Sequence, residues 1–566
     1  MNSSWRLKKK NPVLKKKLTP EKLLLALLWN RGVKTALGVK SFLNPVNISQ
    51  VDLSKAGINK KETVKALKRI KKAVADKETI LVYGDYDVDG FCATALVWEA
   101  LHQARAQAIP YIPSRQDDGY GLKAGRVKKL KRNFPNLSLV ITVDNGIVEH
   151  EQIKKLKEAG IEVIVTDHHL PQKTLPKALA IIHATGLSGS GVAYFLAREL
   201  QELGAELPDL GLAALGTVAD MMEVRGINRI LIKQGIPYLE NTSRVGLRRL
   251  FCEAGIDNKT LDIYKIGFLV APRLNALGRI ANPLDGLRLL CSQTAIKGNK
   301  LAKMAEEINS ERKSLTAKGI EIAKKDLDQE KPSGFIFSAS SSFHPGIVGL
   351  IASKLKDEFY RPAVIISKEE KVSRGSARSV EGLNIIKVLR EIENIFVGLG
   401  GHALAAGFEI KTKNIPILKK KLKRLIKEHL PKKGLEPKIE LEAKLSLSQV
   451  NPEYYQQIIK LAPFGLGNPE PLFLFEGLRL TELRQVGRSA DHLKMALDDP
   501  QTLPEEKIWA EAIGFNLGKY YGELKAGELV DLAASLSEDC FTGKVKIVLK
   551  VKDLRPCAKK GGKIVK

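Results

Sequence analysis

The sequence predicts an α/β protein: a parallel-sheet domain joined by a helical connector to a smaller α/β domain, with a β-barrel at the carboxyl end. Three observations predict it. From about residue 60, apolar strand-like runs alternate with helical patterns at the spacing of βαβ units. Residues 230–325 then read as almost wholly helical, ending in a long charged segment over 302–324. Beyond the linker-like stretch 431–434, short strands over 472–475, 529–534 and 544–551 suggest a small barrel.

Taken in order, Thr19-Pro20-Glu21 is a capping start for an amphipathic helix over the apolar run 23–29. That run is too short for a signal peptide, no small-x-small cleavage site follows it, and no window approaches the ~20 apolar residues of a membrane span. A basic helix over 62–76 precedes a strand over 79–83 that ends in Gly84-Asp85. A helix over 93–103 follows. The strand 137–143 ends in Asp144-Asn145-Gly146, a helix covers 149–159, and the strand 161–166 ends in Asp167-His168-His169. The second α/β unit reads as strand 334–338, helix 346–359 and strand 363–367, closing on a basic helix over 415–429. The expected domains are an N-terminal helical extension (1–58), the first α/β domain (59–230), the helical segment and connector (231–328), the second α/β domain (329–434), the barrel (435–557) and a basic tail (558–566).

Of the 566 residues, 44% are apolar and 27% charged, which excludes a disordered chain. Lys and Arg number 92 against 63 Asp and Glu, a net charge of +29. That excess favours polyanionic partners, nucleic acid first and anionic membrane surfaces second. Five scattered cysteines with no CxxC pair exclude a disulfide scaffold and a zinc ribbon, and fit a reducing cytoplasm. No period of 20–50 residues repeats, which excludes a solenoid.

Asp85, Asp87 and Asp89 alternate just past a strand. If the chain stays extended there, they converge on one face. Three carboxylates so close raise one another's pKa unless a multivalent cation neutralises them; a solvated acidic loop is the alternative. An EF-hand fails, because the twelfth loop position counted from Asp85 is Leu96. Asp144, Asp167, His168 and His169 stand at equivalent strand ends, and Asp220 follows the apolar stretch 212–219. Open α/β sheets bind ligands at those ends. Mixed carboxylate and imidazole ligation suits Mn²⁺ or Mg²⁺ better than Ca²⁺ and tilts towards Mn²⁺. Two such ions, about 3.5–4 Å apart, support in-line phosphoryl displacement.

The stretches Gly84–Gly90, Val143–Gly146, Thr166–His169 and Gly216–Asp220 resemble, in order, the four motifs of the DHH phosphoesterase superfamily. Gly400–Gly407 resembles the glycine-rich signature of its DHHA1 domain. Ile112–Arg115, Ala271–Arg279 and Pro463–Pro469 are similar to stretches of the RecJ family within it. The resemblance spans about residues 24–555. It implies that Asp85, Asp87, Asp89, Asp144, His168 and Asp220 hold two divalent cations, Mn²⁺ or Mg²⁺, with Asp87 and Asp144 touching or bridging both. Asp87, Asp144, His168 and His169 are then the catalytic set. Asp167 is expected to orient His168 from behind, and His169 to face the substrate.

The same resemblance implies that Arg115, Ser376 and Arg378 bind a 5′-terminal phosphate, for which guanidinium forks and hydroxyls are suited. Arg273, Asn275 and Arg279 would contact the scissile phosphate or the backbone, and Gly401 and His402 the DNA. His344 precedes a helix whose N-terminus could hold a phosphate or simply be capped. The barrel resembles an OB-fold, with Trp509, Phe515, Tyr520 and Tyr521 for stacking and Lys519, Lys525, Lys544 and Lys546 for a groove. One departure is the short path from His183-Ala184-Thr185-Gly186 to Gly189-Ser190-Gly191, where the family has a longer loop. The implied activity is a single-stranded-DNA-specific 5′→3′ exonuclease of recombination and repair that releases 5′-mononucleotides. It would be a cytoplasmic monomer with no membrane partner, working beside a helicase and a single-strand-binding protein. A nanoRNase or cyclic-dinucleotide phosphodiesterase is the enzymatic alternative, and a non-catalytic DNA-binding relative the other.

Overall fold

The computed structural model describes residues 3–8, 11–15, 18–114, 119, 121–327, 334–430, 436–487, 489–502, 508–539 and 545–557. The chain divides into two compact units, Asn47–Leu435 and, separately, Met1–Val46 with Glu436–Lys566.

The first unit is built on five parallel strands in the order Gln107–Tyr111, Thr79–Tyr83, Leu137–Val143, Glu162–Asp167 and Ala180–His183. The three inner strands are apolar runs because both faces are covered. Ile80 and Val82 point into one core with Phe91 and Phe195, whereas Leu81 and Tyr83 point into another with Leu156 and Val165. The two outer strands are shorter in apolar content and were not apparent in the sequence pattern. Arg244 ties together the helices that carry acidic groups. It forms a fork on Glu99 of the helix Val88–Gln103 at 2.6 and 2.9 Å, and reaches Asp209, the cap of Leu210–Ala219, at 2.6 Å.

The connector is a 31-residue helix, Ala295–Lys325. Ala302 and Ala305 lie in the core of the first domain, and Ala323 lies in that of the second. The second domain's sheet is mixed, in the order Phe396–His402, Ala405–Lys411, Val372–Arg378, Ala363–Ser367 and Ile336–Ser340, with only the last pair parallel.

In the other unit, five strands close into a barrel: Phe473–Val486, His492–Asp498, Trp509–Gly514, Lys546–Pro556 and Leu529–Asp539, the last pairing back to the first. The helix Pro20–Asn30, capped by Thr19 as expected, buries Leu23, Leu27 and Leu28 in the barrel's core. Ser4–Leu7 pairs with Lys438–Leu441. Among the described residues no helix is long and apolar enough to cross a membrane.

Candidate metal centre

The acidic residues gather where elements end. Asp85 is buried just past the strand Thr79–Tyr83. The chain then turns at Asp87, whose carboxylate accepts the Gly90 N–H at 3.0 Å and caps the helix Val88–Gln103. The helix therefore starts five residues ahead of the expected 93, and the alternating carboxylates do not lie along an extended strand. Asp85 is in the loop, Asp87 at the cap and Asp89 in the first turn, where the positive end of the helix favours them. Asn275 supports this turn, its Oδ1 accepting the Val88 N–H at 3.1 Å.

Asp89 accepts the Gly189 and Ser190 N–H groups at 2.6 and 2.9 Å, on the first turn of Gly189–Glu199. Asp144 sits at φ +62° past Leu137–Val143. A side chain at Gly189 would put its Cβ 2.3 Å from Asp144 Oδ1, so only glycine leaves room for that carboxylate. Asp220 caps not a strand but the C-terminus of the helix Leu210–Ala219, the negative end. His168 Nε2 lies 3.1 Å from Asp144 Oδ1, 3.7 Å from Asp220 Oδ2 and 4.0 Å from Asp89 Oδ2.

The Asp167 expectation is corrected by the structure. The imidazole it holds is that of His169, whose Nδ1 lies 2.8 Å from Asp167 Oδ1; His168 meets that carboxylate only through its backbone N–H, at 2.7 Å. Asp167 also accepts the Ile147 N–H at 2.9 Å. Burial draws the His169 pKa down, but the Asp167 bond and charge, with Asp85 and Asp220, raise it to about 9.

Ligand atoms of Asp85, Asp87 and Asp144 lie within 4.8 Å of one another, as do those of Asp89, His168 and Asp220, and those of Asp144, His168 and His169. Two separate triads thus meet at the Asp144–His168 contact. The donor set fits divalent cations on two further grounds. Asp144 Oδ1 is buried yet accepts no hydrogen bond from the described residues. Burial, then the charges of Asp89, Asp87, Asp85 and Asp220, holds the Asp144 carboxyl well above the usual range. Burial and then Asp89 push Asp220 up to about 9. Such crowding is costly until a cation offsets it.

A second polar cluster surrounds the N-terminus of the helix Val348–Phe359. Arg378 donates to Ser376 Oγ at 3.0 Å and to Ser353 Oγ at 3.1 Å, and a Cβ on Gly349 would lie 3.0 Å from its Nη2. His344 Nδ1 accepts the Gly346 N–H at 3.1 Å. Arg279 donates to Gly346 O at 3.2 Å; burial and then the charge of Asp89 raise the Asp87 pKa, and the charge of Arg279 only partly opposes that rise. Arg273 joins neither cluster: its guanidinium is engaged by Glu306 and by Leu269 O. Gly401 and His402 lie in an exposed strand of a hairpin with Ala405–Lys411. On the barrel, Trp509 is exposed and lines a cavity of about 440 Å³ with Arg484 and Lys494. Phe515 and Tyr521 are exposed, and Tyr520 packs against the core. Arg115, Lys544 and the terminal lysines at 9–10, 16–17 and 559–563 lie outside the described residues. Sequence reasoning missed Gly278, where a Cβ would fall 1.7 Å from Tyr86 O. A glycine within a helical pattern beside Asn275 was the available signal.

Residues 79–217 match the DHH family N-terminal domain, residues 333–428 the DHHA1 domain and residues 441–553 the RecJ OB domain. The single-stranded-DNA-specific exonuclease RecJ of Bacillus subtilis is 34% identical over 550 residues, 95% of this chain and 68% of that protein. That of Haemophilus influenzae is 31% identical over 556 residues, 92% of each chain. The crystal structure of Thermus thermophilus RecJ in complex with Mn²⁺ matches with a TM-score of 0.82 at 27% identity, covering 98% of this chain and 80% of that one. Its Mg²⁺ complex matches with a TM-score of 0.76 at 25% identity, covering 98% and 79%.

Proposed function

The chain belongs to the RecJ family of single-stranded-DNA-specific exonucleases, and from that premise we propose how its residues degrade a single strand from the 5′ end to 5′-mononucleotides. Asp85, Asp87 and Asp144 would hold one divalent cation, and Asp89, His168 and Asp220 a second, Mn²⁺ or Mg²⁺ in each case. The observation that carries this reading is the meeting of the two triads at the 3.1 Å Asp144–His168 contact. When bound, the pair of ions activates water and stabilises the charge that develops on the phosphate.

The chain's own groups position the substrate. Asp167 fixes His169 through Nδ1, which leaves Nε2 on the far side of the ring to exchange a proton with the attacking water or the leaving oxygen. Ser376 and Arg378, beside a helix N-terminus, suit a terminal phosphate, and Arg279 reaches Gly346, two residues before that helix. The barrel, with Trp509 outward, suits single-stranded nucleic acid. We place the protein in the cytoplasm as a monomer resecting strands for recombination and repair, beside a helicase and a single-strand-binding protein. The net charge of +29 supports a polyanionic partner, and the scattered cysteines a reducing compartment.

The test uses end-labelled single strands, duplexes and dinucleotides with Mn²⁺, Mg²⁺ or chelator. Mononucleotides should leave the 5′ end of single strands only, activity should fall with salt, and chelator should stop it. Equal cutting of dinucleotides and long strands would favour the nanoRNase alternative instead. Arg378→Ala should lower the preference for a 5′-phosphorylated over a 5′-hydroxyl end by about tenfold, the worth of one hydrogen bond to a charged group. Competition between the two substrates measures it, and an unchanged ratio removes Arg378 from the phosphate pocket.

A further inference from the structure

Residues Lys265–Val270 form a π-helix, a rare winding that is frequent at functional sites. Its inner side is fixed: Ile266 and Val270 are buried, and a Cβ on Gly267 would lie 3.6 Å from Val218 Cγ1, two residues before Asp220. On the other side Tyr264 and Phe268 stand in solvent, 63% and 61% exposed, with their rings stacked at 5.1 Å and 27°. Two adjoining large rings left in water forfeit substantial burial, and contiguous exposed apolar surface is where binding sites are found. The winding continues into the helix Ala271–Ile280. There the same row of side chains passes the half-buried Pro272 to Asn275, which holds Val88, and to Arg279, which reaches Gly346. At about 1.5 Å per residue, Phe268 is roughly 10 Å along the axis from Asn275.

We infer that Tyr264 and Phe268 form a stacking platform for nucleobases of the single strand, positioning the nucleotides next to the scissile bond. The inference rests on the nuclease reading above. Every base has an apolar face, so stacking on aromatic rings grips a strand without reading its sequence. The row that carries the rings ends at groups suited to phosphate, so bases on the rings and backbone on Arg279 would be one continuous contact. The net charge of +29 suits the same polyanion.

The test compares the full chain with a Tyr264→Ala/Phe268→Ala variant. Affinity is read by anisotropy in chelator on a labelled single strand and on strands with one abasic site moved nucleotide by nucleotide, and KM and kcat are read with Mn²⁺. In the parent, abasic sites at one or two positions near the 5′ end should weaken binding about tenfold each. The variant should lose a similar factor on intact strands, mainly in KM, and should be indifferent to those abasic positions. Tyr264→Phe/Phe268→Tyr should restore parental behaviour. A parent with no sensitive abasic position overturns the platform without reference to any variant. So does a variant that keeps the parent's abasic penalty, or that loses affinity equally on intact and abasic strands, the pattern of a protein-docking or structural patch. Parental cleavage with a flat abasic scan defeats this inference alone, whereas absence of cleavage defeats the nuclease reading.

Discussion

Asp144→Asn should abolish cleavage while leaving the metal-free protein more stable than the parent. The substitution keeps the shape at a position where Gly189 leaves no spare room and removes one charge from a crowded cluster. Asp144 belongs to two of the three potential ligand groups and touches His168 of the third, so its loss breaks one triad and removes the contact at which the two meet. Losing an outer partner of a metal ligand costs about 10–100-fold; losing a ligand itself should cost well over ~100-fold in kcat. In chelator the sign reverses for stability. Asp144 is buried among Asp85, Asp87, Asp89 and Asp220, and their mutual repulsion is relieved by a neutral amide. The variant should therefore melt above the parent without metal and gain little when Mn²⁺ is added, while the parent gains strongly because the ions bind only the folded state. Scanning calorimetry with and without Mn²⁺, beside a single-turnover cleavage assay and a single-strand binding assay, checks both halves. A parental cleavage rate would defeat the assignment.

The inner frame of the fold was legible in sequence, since the strands Thr79–Tyr83, Leu137–Val143 and Ala363–Ser367 and the helix Ile415–His429 begin and end where the pattern places them. A strand covered on both faces has to be apolar throughout, and such a run is hard to misread. Gln107–Tyr111 and Ala180–His183 escaped because they are the sheet's two edges, half-buried, with Pro110 interrupting the first. Alternating aspartates look the same at a strand end and at a helix start. Only the Gly90 and Asn275 bonds decide for the helix. Nor can the order Asp167-His168-His169 say which ring turns back to the carboxylate. The N-terminal segment hid its packing for another reason: the partners of Leu23 and Leu27 lie more than 400 residues away in the chain. The candidate ligands themselves were legible because chemistry that needs charge at a strand end has few residue types to choose from.

Gly278→Ala should disable the site although Gly278 touches no substrate or metal ligand directly. The added carbon would fall 1.7 Å from Tyr86 O and 3.5 Å from Phe91 Cζ. Tyr86 lies between Asp85 and Asp87, and its carbonyl is backbone, so neither side can swing away. The helix Ala271–Ile280 or the acidic loop has to retreat by roughly 1 Å, and a misplacement of that size costs on the order of 100-fold in rate. The retreat also stretches the Asn275–Val88 hydrogen bond and draws Arg279 away from Gly346. The fold should survive, since overpacking of this kind costs about 1–3 kcal/mol. Gly125→Ala is the matched control. It lies in the helix Ala124–Asn133 with nothing within 4 Å of the new carbon, and should be neutral or slightly stabilising. Melting curves and kcat on a single strand separate the two, and a Gly278→Ala protein that cuts as fast as the Gly125→Ala one would show that the acidic loop does not depend on this helix for its position.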